Sequence, residues 1–257
     1  MGNHKILRLL VCFLCFGLSI NGLFAQRSFQ DKTSGWSAGL MAGVFARGLK
    51  ADTQVITTNT PAGLLMVRGK NLGGTVDLTF YAGYGSSRLN GLLFETLPVS
   101  LDYQAGGIGG PLFGVKADWP VYGRGDYTFG LTADFFTFFG QKRKFALEGF
   151  AEPGEARMQP AWNQASSGIF FLYDGFEYFQ PYVVAGVSFF WGTFKASETI
   201  ADLNGSQSLK LKGSGILILT VGSNVKLAGN LCLIPQLTIY PASRTALAGG
   251  LGLLYSF

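Results

Sequence analysis

The chain predicts an all-β fold, a transmembrane antiparallel up-and-down β-barrel, and three observations carry that reading. Apolar and polar residues alternate with period two from Trp36 onward, in stretches of about ten to fourteen residues closed by Gly, Asn, Asp, Ser or Pro. After the N-terminal segment no uninterrupted apolar run reaches the roughly 18 residues that a membrane-crossing helix needs. The composition is 48% hydrophobic and 14% aromatic but only 14% charged, with 37 glycines. Average soluble domains carry about 25% charge and about 7% glycine. A chain this apolar without long apolar helices is expected to spend its apolar side chains on the outside of a sheet.

The N-terminus reads as a leader. Lys5 and Arg8 precede a nearly continuous apolar run from Leu9 to Ile20, and Leu23, Phe24 and Ala25 before Gln26 offer a small residue at a cleavage position. This is the pattern of a secretory signal over 1–25, followed by a short periplasmic segment at 26–35 and the barrel at 36–257. An apolar run of about 12 residues is too short to cross roughly 30 Å of hydrocarbon as a helix. Cys12 and Cys15 fall inside the leader, which leaves Cys232 alone and no intrachain disulfide. Without Lys5 and Arg8 the chain holds 18 basic and 15 acidic residues, a net charge of +3 spread along its length. No nucleic-acid partner is expected from so mild an imbalance.

The alternation yields ten candidate strands at 36–47, 73–85, 91–103, 111–122, 126–140, 165–174, 181–195, 208–222, 227–240 and 245–257, with eight or twelve as alternatives. Residues 62–70 are a candidate extra strand, and 141–164 a candidate hairpin above the membrane. The third segment is irregular, because Glu95 would face lipid and Pro98 removes a ladder donor. Longer connections at 48–72, 104–110, 141–164 and 196–207 alternate with short ones at 86–90, 123–125, 175–180 and 223–226. Long loops outside and short turns inside would put both termini in the periplasm. Trp36, Tyr84, Trp119, Tyr127, Tyr173 and Tyr255 then form an interface girdle near the periplasmic strand ends, each on the apolar parity of its strand.

The opposite parity gives the lumen. Asp77, Lys116, Asp118, Asp134, Lys210, Lys212 and Gln236 are expected to point inward as a salt-bridged filling or as the lining of a wet path. Phe136, Phe138, Phe190, Ile216, Ile218 and Ile234 form the apolar part of that lumen, as packing or as a pocket for a small apolar molecule. Arg124, Gly125 and Asp126 spell an adhesion tripeptide but read as a tight turn, as does the sequon Asn204, Gly205, Ser206. Catalysis is not expected: the single histidine, His4, lies in the leader, and the remaining chain lacks a proton-transfer group suited to neutral pH. With no histidine and one cysteine after the leader, neither a metal nor a cofactor is expected.

The chain ends Leu251, Gly252, Leu253, Leu254, Tyr255, Ser256, Phe257. Apolar residues at alternate positions before a terminal phenylalanine resemble the C-terminal assembly signal of bacterial outer-membrane proteins. From Trp36 to Phe257 the chain resembles small outer-membrane barrels of the OmpA, OmpX and OmpW types, an architectural likeness without a family-specific motif. The resemblance implies an outer-membrane location, lipid contact, and biogenesis through periplasmic chaperones and the barrel assembly machinery. It leaves two functional expectations: a structural or surface-interaction barrel acting through extracellular loops, or a narrow channel or carrier for small or apolar solutes. Deleting Phe257 should lower membrane assembly more than an equally exposed loop substitution does, measured as the fraction of chain showing heat-shifted electrophoretic mobility; equal assembly would remove the targeting role.

Overall fold

The computed structural model describes residues 35–52, 54–89, 91–103, 106–147, 154–242 and 245–257. The leader expectation for 1–25 lies outside them. The elements are β1 (Gly35–Ala51), β2 (Gln54–Leu72), β3 (Val76–Ser87), β4 (Leu92–Phe94), β5 (Leu101–Tyr103), β6 (Ile108–Arg124), β7 (Tyr127–Phe139), β8 (Arg143–Leu147), β9 (Gly154–Tyr173), β10 (Phe179–Ile200), β11 (Leu203–Gly213), β12 (Leu217–Ala228), β13 (Leu231–Tyr240) and β14 (Ala246–Ser256). Strands β1, β2, β3, β6, β7, β9, β10, β12, β13 and β14 pair antiparallel in that order. The ring closes where β14 returns to β1, in register from Ser37↔Ser256 to Val44↔Gly249. Closure gives the backbone donors and acceptors partners on both sides, which a sheet without water at its edges requires.

The ring holds ten strands, but not the ten expected. Residues 54–72, read as loop apart from the candidate strand at 62–70, form β2, paired with β1 along its full length. The alternation is hidden there because both faces are apolar at Leu64, Leu65, Met66 and Val67, while Thr57, Thr58, Asn59, Thr60 and Pro61 look like a turn. Conversely 91–103 alternates yet stays out of the ring. It folds as the short β4–β5 hairpin and turns Leu92, Phe94 and Leu97 into the interior, with Glu95 and Pro98 exposed. The 208–222 segment divides at 214–216 into β11 and β12, and the turn expected at 223–226 sits at 229–230 instead.

On the side of Gly35 and Phe257, the termini of the barrel, the connections are short, at 73–75, 125–126, 174–178 and 229–230. Arg124, Gly125 and Asp126 form one of them, and Gly125 takes φ +56°, a left-handed conformation that suits glycine. The sequon residues Asn204 to Ser206 lie in β11 rather than in a turn; the bend falls at Ala201, whose φ is +49°.

Strands β1, β2, β9 and β10, of 17, 19, 20 and 22 residues, rise beyond the ring. There β11 pairs with β10 from Trp191↔Lys212 to Ile200↔Leu203 and with β1 from Leu49↔Gly213 to Ala51↔Leu211. One strand thus replaces three, and the upper wall runs β8, β9, β10, β11, β1, β2. Leu89 and residues 91–103 fill its mouth, tethered by the Asn59↔Arg88 bridge.

Sidedness inverts along these tall strands. Low on β1, Trp36 and Leu40 face out at 52% and 61% exposure while Ser37 is buried inside; at the top Leu49 and Ala51 are buried inside and Lys50 is exposed. On β10, Phe189 and Trp191 face out, and two ladder steps higher Lys195 does, above interior Phe194 and Ala196. The lower ring is apolar outside and mixed inside; the extension is polar outside and apolar inside.

Ser37 and Ser256 are ladder partners with their hydroxyl oxygens 2.9 Å apart. In a Cys232→Ser background, Ser37→Cys with Ser256→Cys should form an intramolecular disulfide on mild oxidation, seen as a reduction-sensitive gel shift; free thiols in the folded protein would refute closure at this seam.

Candidate functional site

The lumen is graded from an apolar plug at the far end to a polar vestibule beside the termini. Its upper half is an aromatic column built from inward positions of β1, β3, β7, β9 and β10. Phe45 meets Phe136 at 5.0 Å between ring centroids, Phe138 stacks on Trp162 at 5.5 Å, and Trp162 stacks on Phe190 at 5.4 Å. Tyr81 extends the column downward through Phe136 at 5.3 Å. Above it Phe194 contacts Phe94 and Tyr103 of the folded-in segment at 5.5 and 5.1 Å. Leu89, Leu92 and Phe94 have no exposed surface. Three side chains fasten this lid from the wall: Glu198 Oε2 accepts the Val99 N–H at 3.0 Å, Gln207 Oε1 accepts the Thr96 N–H at 3.1 Å, and Gln54 both accepts the Leu93 N–H and donates to the Leu93 carbonyl at 3.0 Å. Burial raises the Tyr103 hydroxyl above its ordinary pKa, with Arg143 opposing, and Tyr103 donates to the Gly106 carbonyl at 2.9 Å.

Below the plug lies a polar belt. The buried Arg47 guanidinium sits 4.0 Å from the centroid of the Tyr240 ring and donates to the carbonyls of Ser188 and Gly215. Gln164 donates to the Tyr240 hydroxyl at 3.1 Å, and Ser166 and Ser188 pair at 3.0 Å. Arg47 stands where β12, β13 and β14 give way to β11, so it satisfies carbonyls that the missing ladder leaves open. Beneath it is a cavity of about 100 Å³ lined by Lys116, Asp134, Gln236 and Ile218 among others.

The vestibule, about 930 Å³, opens beside the termini. Asp77 and Asp118 are direct ladder partners, a repulsive juxtaposition relieved by two cations. Arg68 holds Asp77 at 2.6 Å, Lys116 holds Asp118 at 2.9 Å, and Thr132 donates to Asp118 at 2.7 Å. Asp134 lies opposite Lys116 in register, and Tyr182 donates to Gln236 at 3.4 Å. The structure therefore brings Asp77, Lys116, Asp118 and Gln236 together in the vestibule, with Ile234 beside them, and Asp134 joins Lys116 and Gln236 in the cavity above. Arg68 of β2 completes the set; the run Leu64 to Val67 before it shows no period, so the alternation gives Arg68 no face.

Three lumen expectations are corrected. Lys210 and Lys212 are exposed on the outer face of β11, with Leu209 and Leu211 inside, because the interior at that height is apolar. Ile216 is 54% exposed, since the break at 214–216 resets parity before Ile218 turns in. Phe136, Phe138 and Phe190 belong to the plug. Among the girdle residues, Trp36, Tyr127, Tyr173 and Tyr255 collect at the termini end, Tyr127 and Tyr173 being 5.1 Å apart, and the half-buried Trp119 lies opposite Leu131 further up the wall. Tyr84 is at the other end, with its hydroxyl donating to Gln141, because β2 reverses the direction of the strand after it. Leu251, Leu253 and Tyr255 face outward on β14, and Phe257, 77% exposed, is tied by its N–H to the Trp36 carbonyl.

No protein-family model matches the chain, and no curated protein matches it. Among solved structures it is similar to the translocator domain of the autotransporter NalP from Neisseria meningitidis, at 10% identity over 99% of this chain and 98% of that one with a TM-score of 0.47. It is similar to Ail, the attachment invasion locus protein of Yersinia pestis, at 13% identity over 87% and 97% with a TM-score of 0.34. Outer membrane protease OmpT from Escherichia coli gives 12% identity over 91% and 99% with a TM-score of 0.40.

Replacing Lys116 by Ala should destabilise the barrel by about 1–3 kcal/mol, reduced from the fully buried case by residual hydration of the pair. The double variant Lys116→Ala/Asp118→Ala should cost clearly less than the sum of the singles in urea titrations; strict additivity would show the pair to be uncoupled.

Proposed function

We propose that this chain is a non-enzymatic outer-membrane barrel with a structural or surface-interaction role, sealed by its own lid and presenting the upper sheet and its loops for recognition. The inversion of sidedness along β1 and β10 carries the membrane reading. A sheet that is apolar outward over the lower ring and apolar inward above it fits a wall that leaves lipid for water partway up. Strands β4, β5, β8 and β11, which lie outside the ten-strand ring, stand opposite Gly35 and Phe257 and support a periplasmic location for both ends of the barrel. In this reading lipid surrounds the ring, periplasmic chaperones and the assembly machinery insert it, and the exposed end of β14 with Phe257 is the assembly signal. The absence of histidine from the chain after the leader, together with Arg68, Asp77, Lys116 and Asp118 being engaged in ion pairs, supports a non-catalytic role. The vestibule and the cavity above it favour the second reading, a narrow channel or carrier, but the aromatic column stands between them and the far side.

Planar-bilayer recording separates the two. The wild type should give no unitary steps, and Leu92→Asp/Phe94→Asp combined with Phe138→Ala/Trp162→Ala, which opens both the lid and the layer of rings beneath it, should produce them. Reproducible steps from the wild type, altered by Lys116→Ala or Asp118→Ala, would replace the interaction reading with the channel.

A further inference from the structure

The upper outward face carries four lysines that the sealed lumen does not use. Lys195 of β10, Lys210 and Lys212 of β11 and Lys50 of β1 are all exposed. They occupy adjoining ladder positions: Lys212 lies between Lys50 and Trp191, Lys210 opposite Thr193, and Lys195 opposite Ser208. Facing partners in such a ladder have Cα atoms about 4.5–5.5 Å apart. Among the described residues none of the four makes an ion pair. Strands β1 and β11 contain no acidic residue, and the single acid of β10, Glu198, is buried facing inward and engaged with the lid. The other basic group of the rim differs, since Lys144 and Arg157 share Glu155.

Like charges placed directly opposite weaken a ladder, and Lys50↔Lys212 sits in the pairing of only three residues by which β11 joins β1. The lysines also start where the apolar band stops: Phe189 and Trp191 are 44% and 43% exposed on the same face, and Ile216 and Leu217 lie exposed beneath β11. An anion held here would bridge a strained seam, and its apolar portion would lie on the aromatic band. A free anion would use only the ammonium groups.

We infer that the Lys50, Lys195, Lys210 and Lys212 patch binds the phosphate groups of anionic lipid headgroups in the leaflet around the far end of the barrel. This rests on the membrane reading proposed above. The test places the protein in phosphatidylcholine nanodiscs, titrates in bisphosphorylated lipid A or its dephosphorylated form, and counts retained lipid by native mass spectrometry. Lipid A should be retained at least tenfold better than the dephosphorylated form. Attraction of roughly fivefold per surface lysine sets a loss of about 100-fold for Lys50→Gln/Lys210→Gln/Lys212→Gln, whose heat-shifted mobility should match the wild type. Lys142→Gln/Lys144→Gln should bind as the wild type does, and equimolar inorganic phosphate should not displace the lipid. Equal retention of the two lipids, an unaffected triple variant, or displacement by inorganic phosphate would overturn the inference alone. Failure of the wild type to enter the bilayer would overturn the membrane reading together with it.

Discussion

Closure of the β1–β14 seam is the constraint from which the rest of the structure follows. A sheet in hydrocarbon cannot leave an edge, because each unpaired amide there costs several kcal/mol. Once ten strands meet edge to edge, the bore is fixed and its filling is no longer a free choice. The inward positions of β1, β7, β9 and β10 must either hydrate or pack, and at mid-height they pack: Phe45, Phe136, Phe138, Trp162 and Phe190 span the bore as one layer of rings. Each ring buries a large apolar area. The lid adds Leu92 and Phe94 above that layer instead of standing in solvent.

Four of the charges in this interior satisfy one another in pairs. Arg68, Asp77, Lys116 and Asp118 lie on three adjacent strands, so the facing of Asp77 and Asp118 becomes tolerable through two cations at hydrogen-bond distance. Arg47 solves a different problem. Its guanidinium spans the place where three strands end, supplying donors to carbonyls that have lost their ladder and resting its face on Tyr240. The polar belt therefore follows from the change in wall construction above it.

Much of this was legible in the residues. Alternation in β6 and β7 placed Lys116, Asp118 and Asp134 on the inner face, because those strands lie in the lower ring, where the outer face is apolar and the inner one polar. The same rule misread β2, whose Leu64 and Met66 face an apolar interior while Leu65 and Val67 face out, so that four consecutive apolar residues show no period. It misread 91–103 in the opposite sense, since a lid strand packed on one side has the same period as a ring strand. Missing β2 reversed the expected direction of β3 and carried Tyr84 to the wrong end. Pairing across the ring, which decides these cases, is not a local property of the chain.

The misassignment of Lys210 and Lys212 has a more general cause. Assigning polar residues to the lumen assumes that the outside is always the less polar environment, and that holds only while lipid surrounds the wall. In the membrane reading proposed above, solvent replaces lipid outside beyond that height while the lid is inside, so the same alternation is read with its sign exchanged. The exchange is visible within single strands: β10 presents Trp191 outward and, two ladder steps on, Lys195; β1 passes from Leu40 to Lys50. On β9 the inward residues change from Gln164 and Ser166 to Trp162 and Met158 over the same rise. A strand of about 9 to 11 residues suffices to cross a bilayer, yet β9 and β10 run to 20 and 22. Excess length and exchanged sign thus mark the same boundary, and β11, lying wholly beyond it, takes the inverted pattern throughout.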